Sequence, residues 1–205
     1  MNLYEYEETL INDGVKLIGG IDEVGRGPLV GPVVAACVIL PINYELPGLN
    51  DSKKLTEKRR EEFSKILMQD AISIGIGIID EKIIDEVNIY EATKLDMKDA
   101  INNCQIKPEH VLIDAMKLGI DIPSTSIIKG DAKSLSIAAA SVIAKVTRDH
   151  MLIELDKTYP MYDFKHNKGY PTKKHVEAIY KYGITPFHRK TFSPVKEYLN
   201  NKELS

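Results

Sequence analysis

Three short apolar runs in this chain end on acids. IGGIDE closes on Asp22 and Glu23, HVLID on Asp114, and SIIKGD on Asp131. Ionised carboxylates gathered in a small site raise one another's pKa, and divalent cations remove the conflict. A donor set made only of oxygens suits magnesium or manganese better than zinc. Two such ions about 3.5–4 Å apart can clamp both the attacking and the leaving oxygen of a phosphodiester. Asp22, Glu23, Asp114 and Asp131 are therefore the candidate catalytic and metal-binding residues, with two ions expected.

Plainer readings compete. An acid after a strand often caps the next helix, and Asp131 stands just ahead of a helical segment at 134–156. Asp114 could equally be a turn residue. The adjacent pair is harder to dismiss, because burying two acids without partners is costly. Neighbours on a regular strand face opposite ways. Asp22 and Glu23 thus share a site only if the strand loses regularity there, or if Glu23 contributes partly through its backbone. Asp149 lies 18 residues beyond Asp131, well along the helix. That places it about 20–27 Å away, so it is expected in a local ion pair or structural hydrogen bond instead.

Behind the first acids runs a loop nearly stripped of side chains, Gly25-Arg26-Gly27-Pro28, then Gly31-Pro32. Such a loop lets a ligand approach main-chain N–H and C=O groups. It could read a sugar hydroxyl beside a phosphate, with Arg26 supplying charge or bracing the loop. A dinucleotide fingerprint fails on spacing, and KGDAKS lacks the order of a phosphate-binding P-loop.

Elements must hold these residues. Strands are expected at 15–22, 30–40, 72–79, 110–114 and 126–129, and helices at 55–69, 134–156 and 173–182, with one or two more over 81–104. Residues 157–171 read as a loop. A hairpin-like start followed by alternating strands and helices implies an α/β fold, a mixed sheet flanked by helices. Ligand sites in open α/β sheets gather at the carboxyl ends of strands, where the acids stand. One domain is expected over 1–205, with residues 157–205 as a basic, mostly helical C-terminal appendage.

Composition is that of a globular protein, 43% hydrophobic and 28% charged. No apolar run reaches 18 residues, so no membrane span is expected. The acidic N-terminus lacks the order of a signal peptide, and Cys37 and Cys104 lack metal-like spacing. A reducing cytoplasm with free thiols follows as the expectation. The net charge of −3 hides an asymmetry: residues 129–205 carry 14 Lys/Arg against 8 Asp/Glu. A basic end beside an acidic, cation-binding region suits a polyanion. Ser52, Lys53, Lys54, Lys133, Lys145, Arg148, Lys168, Lys173 and Lys174 are candidate phosphate contacts. The five histidines lack ligand spacing with one another and read as surface or core residues.

The segments GIDEVGRGPLVGPVVAA, NDSKKLTEKRRE, VLIDAMKL, KGDAKSLSIAAASVIAKVTRDHM and HNKGYPTKKH occur in this order. Together they resemble bacterial ribonuclease HII over roughly residues 17 to 195. The resemblance implies a ribonuclease H-like fold. It implies cutting of RNA in RNA–DNA hybrids and incision at single ribonucleotides embedded in duplex DNA. It places Asp22, Glu23, Asp114 and Asp131 as the metal-binding acids, and Gly25, Arg26 and Gly27 as a loop that reads the ribose 2′-hydroxyl. Tyr170 takes the place of a tyrosine that stacks on the sugar at the RNA–DNA junction. Expected products carry 3′-hydroxyl and 5′-phosphate ends. A monomer is expected. The alternatives are another nuclease of this fold, such as a junction resolvase, and a hybrid-binding module without turnover. Residues before Leu17 receive no role.

Overall fold

The computed structural model describes residues 3–203. A helix α1 (Glu5–Asn12) precedes β1 (Ile18–Val24) and β2 (Val33–Ile39), followed by α2 (Glu57–Asp70) and β3 (Ser73–Ile79). Helices α3 (Glu81–Val87) and α4 (Ile89–Asn103) lead to β4 (His110–Asp114) and β5 (Ser124–Ile127). The long α5 (Leu135–Thr158) comes next, then α6 (Phe164–Asn167), α7 (Lys173–Tyr182) and α8 (Val195–Glu203). The strands form one sheet in the order β3-β2-β1-β4-β5. β1, β2 and β3 are antiparallel neighbours, whereas β4 and β5 run parallel to β1. This is the mixed sheet flanked by helices that the sequence pattern predicts.

Both faces of the sheet are covered, which explains why VVAACVI in β2 does not alternate. Val34, Ala36 and Val38 pack with Phe63 and Leu67 of α2 and with the small residues of α5. Ala35 and Cys37 face the other way, onto Met97, Ala100 and Ile101 of α4. α5 lies almost in contact with β1: a Cβ on Gly20 would stand 2.0 Å from the Ser136 carbonyl carbon. Only glycine permits that approach, and it fixes the height of α5 over the strand that carries Asp22.

The expected segment 81–104 divides at Asn88, whose φ of 72° breaks the helix and whose side chain accepts from the Tyr90 and Glu91 amides to start α4. The expected loop 157–171 contains a 3-10 turn at Pro160–Tyr162 and the short α6. The tail adds α8, for which the sequence offers no clear periodic signal. Tyr162, Phe164, Ala178, Ile179 and Val195 close over Leu29 and Val30, so the C-terminal helices rest on the loop that follows β1. Among the described residues no helix is long and apolar enough to cross a membrane.

Candidate active site

Strand direction and register bring the acids together. Ile21 pairs with Ile113 in the parallel β1–β4 ladder, so Asp22 and Asp114 follow at the same level. Asp114 pairs with Ile127 of β5. The chain then passes through Lys129 at φ 57° into a 3-10 turn, Gly130–Ala132, which carries Asp131 back toward β4. The Gly130 amide donates to Asp114 Oδ1 at 2.7 Å and ties the turn to the strand end. One carboxylate oxygen each from Asp22, Asp114 and Asp131 lies within 4.8 Å of the others. Asp131 does not cap α5. Ser134 does, its hydroxyl accepting from the Ile137 amide.

The cluster is poorly compensated by the protein itself. Burial, then Glu23 and Asp114, hold the Asp22 carboxyl well above the ordinary range, despite hydrogen bonds from Ser141 and the Glu23 amide. Burial, then Asp51 and Asp114, raise Asp131. Among the described residues Asp131 has one ion pair, with Lys53, whose Nζ is 4.0 Å from Oδ2 on an exposed side chain. Three acids with one distant, solvated counter-charge fit a divalent cation, whose charge would offset their repulsion.

Glu23 stands apart from this triad. β1 keeps its register through Glu23↔Ala35 and Val24↔Val34, so of the two alternatives the strand does not lose its regularity. Glu23 lies on the opposite face, 3.5 Å from Arg26 Nη1. Its backbone still serves the site, because the Glu23 amide donates to Asp22 Oδ1 at 2.8 Å. Burial and Asp114 raise its pKa, with Arg26 opposing.

The glycine loop is held from beneath by two buried arginines. Arg148 donates to the carbonyls of Pro32, Val30 and Lys168, each at 2.9 Å. Arg189 donates to Gly25 O at 2.6 Å, Arg26 O at 3.0 Å and Gly31 O at 2.8 and 3.0 Å. Both are fully buried, and burial lowers Arg148 to about 10 and Arg189 to about 9. Gly25 makes the arrangement sterically feasible: its φ is 94°, and a Cβ there would fall 2.2 Å from Arg148 Nε. The same lattice carries the Tyr170 segment, because Gly169 O accepts from the Leu29 amide at 2.8 Å. Tyr170 is exposed, and a Cβ on Gly27 would lie 3.4 Å from its ring. Gly25, Arg26, Gly27 and Tyr170 therefore form one surface.

Several phosphate candidates need correction. Arg148 has no exposed group to offer, since carbonyls occupy its guanidinium. Ser52 is buried with its hydroxyl 2.7 Å from that of Ser141, a partner of Asp22. It supports the acid cluster from behind. Lys145 is bound to Asp149 at 2.7 Å, and Arg60 lies 3.9 Å from that same acid. Asp149 therefore has the structural ion pair expected of it. Lys53 is exposed, Lys133 and Lys168 are half-buried, and Lys54, Lys173 and Lys174 are exposed. Arg189 escapes the sequence entirely, because a lone arginine in HRK carries no pattern. Asp51 is likewise missed, although it bears on Asp131.

A mixed sheet whose parallel strands end in three converging carboxylates defines a ribonuclease H-like nuclease fold. The ribonuclease HII family model matches residues 19–195. A curated ribonuclease HII of Bacillus cytotoxicus is 58% identical over 202 residues, covering 98% of this chain and 78% of that protein. The ribonuclease H2 structure from Pyrococcus horikoshii superposes with a TM-score of 0.77 at 27% identity, over 92% of this chain and all (100%) of that one. A ribonuclease HII from Archaeoglobus fulgidus, solved in complex with PCNA, gives 0.72 at 25% identity over 86% and 95% of the two chains. The chain belongs to the ribonuclease HII family, and with it to the ribonuclease H endonucleases.

Proposed function

We propose that this protein hydrolyses the RNA strand of RNA–DNA hybrids and incises duplex DNA on the 5′ side of single embedded ribonucleotides. Products would carry 3′-hydroxyl and 5′-phosphate ends. The observation that carries the reading is a juxtaposition. The Asp22–Asp114–Asp131 cluster sits at the end of the strand that runs directly into a backbone-exposing loop, and that loop abuts Tyr170.

Asp22, Asp114 and Asp131 would hold magnesium or manganese, two ions in our reading, with Glu23 peripheral. Bound there, the cations supply charge for the scissile phosphate and an activated water. The chain's own residues do the rest. The Glu23 amide and Ser141 orient Asp22. Arg148 and Arg189 present the Gly25–Gly27 backbone in one conformation, so that it can test for a 2′-hydroxyl, the group that separates RNA from DNA. Tyr170 offers an aromatic face to the sugar beyond the junction. Lys53, Lys133 and Lys168 would contact phosphates of the duplex and would make binding fall with salt. A cytoplasmic monomer acting on nucleic acid without a membrane is the setting we infer.

The test is a labelled DNA duplex with one ribonucleotide, beside an all-DNA control, with magnesium, manganese or chelator. Metal-dependent incision 5′ of the ribonucleotide with the control uncut supports the reading. Cutting of long hybrids alone removes the junction role of Tyr170. Absence of cutting on both substrates favours a binding module without turnover.

A further inference from the structure

Two histidines that the catalytic reading leaves unused form a buried chain ending on the Tyr170 backbone. His175 and His188 lie 0% and 1% exposed, with their Nε2 atoms 3.2 Å apart. The Thr185 amide is 2.9 Å from His188 Nδ1, and an amide can only donate. His188 Nδ1 is therefore the bare nitrogen, and the neutral ring carries its proton on Nε2. That proton points at His175 Nε2, which must accept. His175 then carries its proton on Nδ1, 2.9 Å from the Tyr170 carbonyl, which is an acceptor only. Backbone groups at both ends leave one consistent set of tautomers.

The surroundings keep both rings neutral. Tyr162 and Phe164 stand edge-on to His175 at 6.1 and 5.3 Å, and the same two rings flank His188 at 5.3 and 6.1 Å. A second proton on His175 would set donor against donor at the 3.2 Å contact, and one on His188 would set Nδ1–H against the Thr185 amide at 2.9 Å.

The end point of the chain matters. Residue 171 is proline, so the peptide after Tyr170 has no N–H, and its orientation depends on what its carbonyl accepts. That carbonyl accepts from the Thr172 amide at 2.8 Å and from His175. The Thr172 bond is local and would follow any movement of the loop. The histidine bond anchors it to the core. Because Tyr170 is exposed and meets Gly27 at its ring edge, its backbone setting decides where the aromatic face stands.

We propose that Thr185, His188 and His175 form a hydrogen-bond relay that positions Tyr170 against the Gly25–Gly27 loop, making His175 a positioning residue for recognition of the RNA–DNA junction. The inference rests on the junction role given to Tyr170. It is tested by the ratio of kcat/KM on a single-ribonucleotide duplex to kcat/KM on a long hybrid that lacks a junction. A change in folded fraction cancels from this ratio.

His175→Leu should lower the ratio by about 3- to 10-fold, the worth of one buried hydrogen bond. His175→Asn, whose amide can still donate to the Tyr170 carbonyl, should recover most of it. Tyr170→Ala should lower the ratio by itself, and His175→Leu should add nothing in the Tyr170→Ala background. An undiminished His175→Leu effect in that background overturns the relay and leaves the Tyr170 reading intact. An unchanged ratio in Tyr170→Ala overturns the Tyr170 reading itself, and the relay with it. Independently of activity, nitrogen NMR of the intact protein should find the proton on Nδ1 of His175 and on Nε2 of His188. The opposite tautomers, or a charged ring at neutral pH, would overturn the assignment.

Discussion

Asp22→Asn should abolish turnover and at the same time stabilise the metal-free protein. The two effects share one cause. Asp22 is 5% exposed and stands within 4.8 Å, oxygen to oxygen, of Asp114 and Asp131. Two unit charges at such a distance repel by about 3.5 kcal/mol at an effective dielectric constant of about 20. Protonation and the nearby Lys53 relieve part of this, so neutralising Asp22 should yield about 1–3 kcal/mol of folding stability. Asparagine is isosteric and can still accept from the Glu23 amide, so no cavity opens. In chelator, urea unfolding should place the variant above the parent. With manganese at about 100 times its Kd the parent should gain about 2.7 kcal/mol and the variant much less, which reverses the order. Turnover should fall about 100-fold or more while duplex binding persists. A metal-free variant less stable than the parent would refute the repulsion argument, and retained turnover would refute the assignment of Asp22.

Three further predictions concern residues outside the triad. Asp96 is fully buried with no hydrogen bond of normal geometry among the described residues, and burial pushes its pKa up to about 8. A carboxyl raised in the folded state costs stability as pH climbs from its unfolded value. Asp96→Asn should therefore gain on the parent by about 2.7 kcal/mol between about pH 5 and pH 7 in urea titrations, and a constant difference would contradict this. Arg189→Lys cannot reach Gly25, Arg26 and Gly31 together, so it should destabilise the fold by about 2–4 kcal/mol and weaken discrimination against all-DNA duplex, both measurable on one preparation. Glu7 accepts from Ser134 Oγ at 2.6 Å and from the Ser136 amide at 2.9 Å, at the positive end of α5. Glu7→Gln removes that charge and should cost about 0.5–2 kcal/mol by thermal or urea unfolding.

Residue order alone pointed to metal-type chemistry, because several acids stand at or just after apolar runs and those runs were visible in the hydrophobic pattern. It also determined the family, through long local segments such as KGDAKSLSIAAASVIAKVTRDHM. The strand ending at Asp114 and the helix at 173–182 were equally local and equally legible.

What tertiary structure decided was partnership between residues far apart in the chain. Whether Asp131 capped a helix or joined Asp22 depended on a left-handed Lys129, which has no sequence signal, and on Ser134 rather than Asp131 taking the cap. Glu23 lies on the other face of β1 from Asp22, yet near enough to raise it, because β1 keeps its pairing, a property of β2 as much as of β1. Arg148 looked like a phosphate ligand because a buried arginine and a surface one are written alike. Only the carbonyls of Val30, Pro32 and Lys168 around it reveal its work. Glu7 received no role because its partners lie 127 and 129 residues downstream. Hydrogen bonds from one side chain to a distant backbone leave no periodicity in a sequence, since any residue supplies a carbonyl or an amide. That is why the acids could be read from the chain and their scaffold could not.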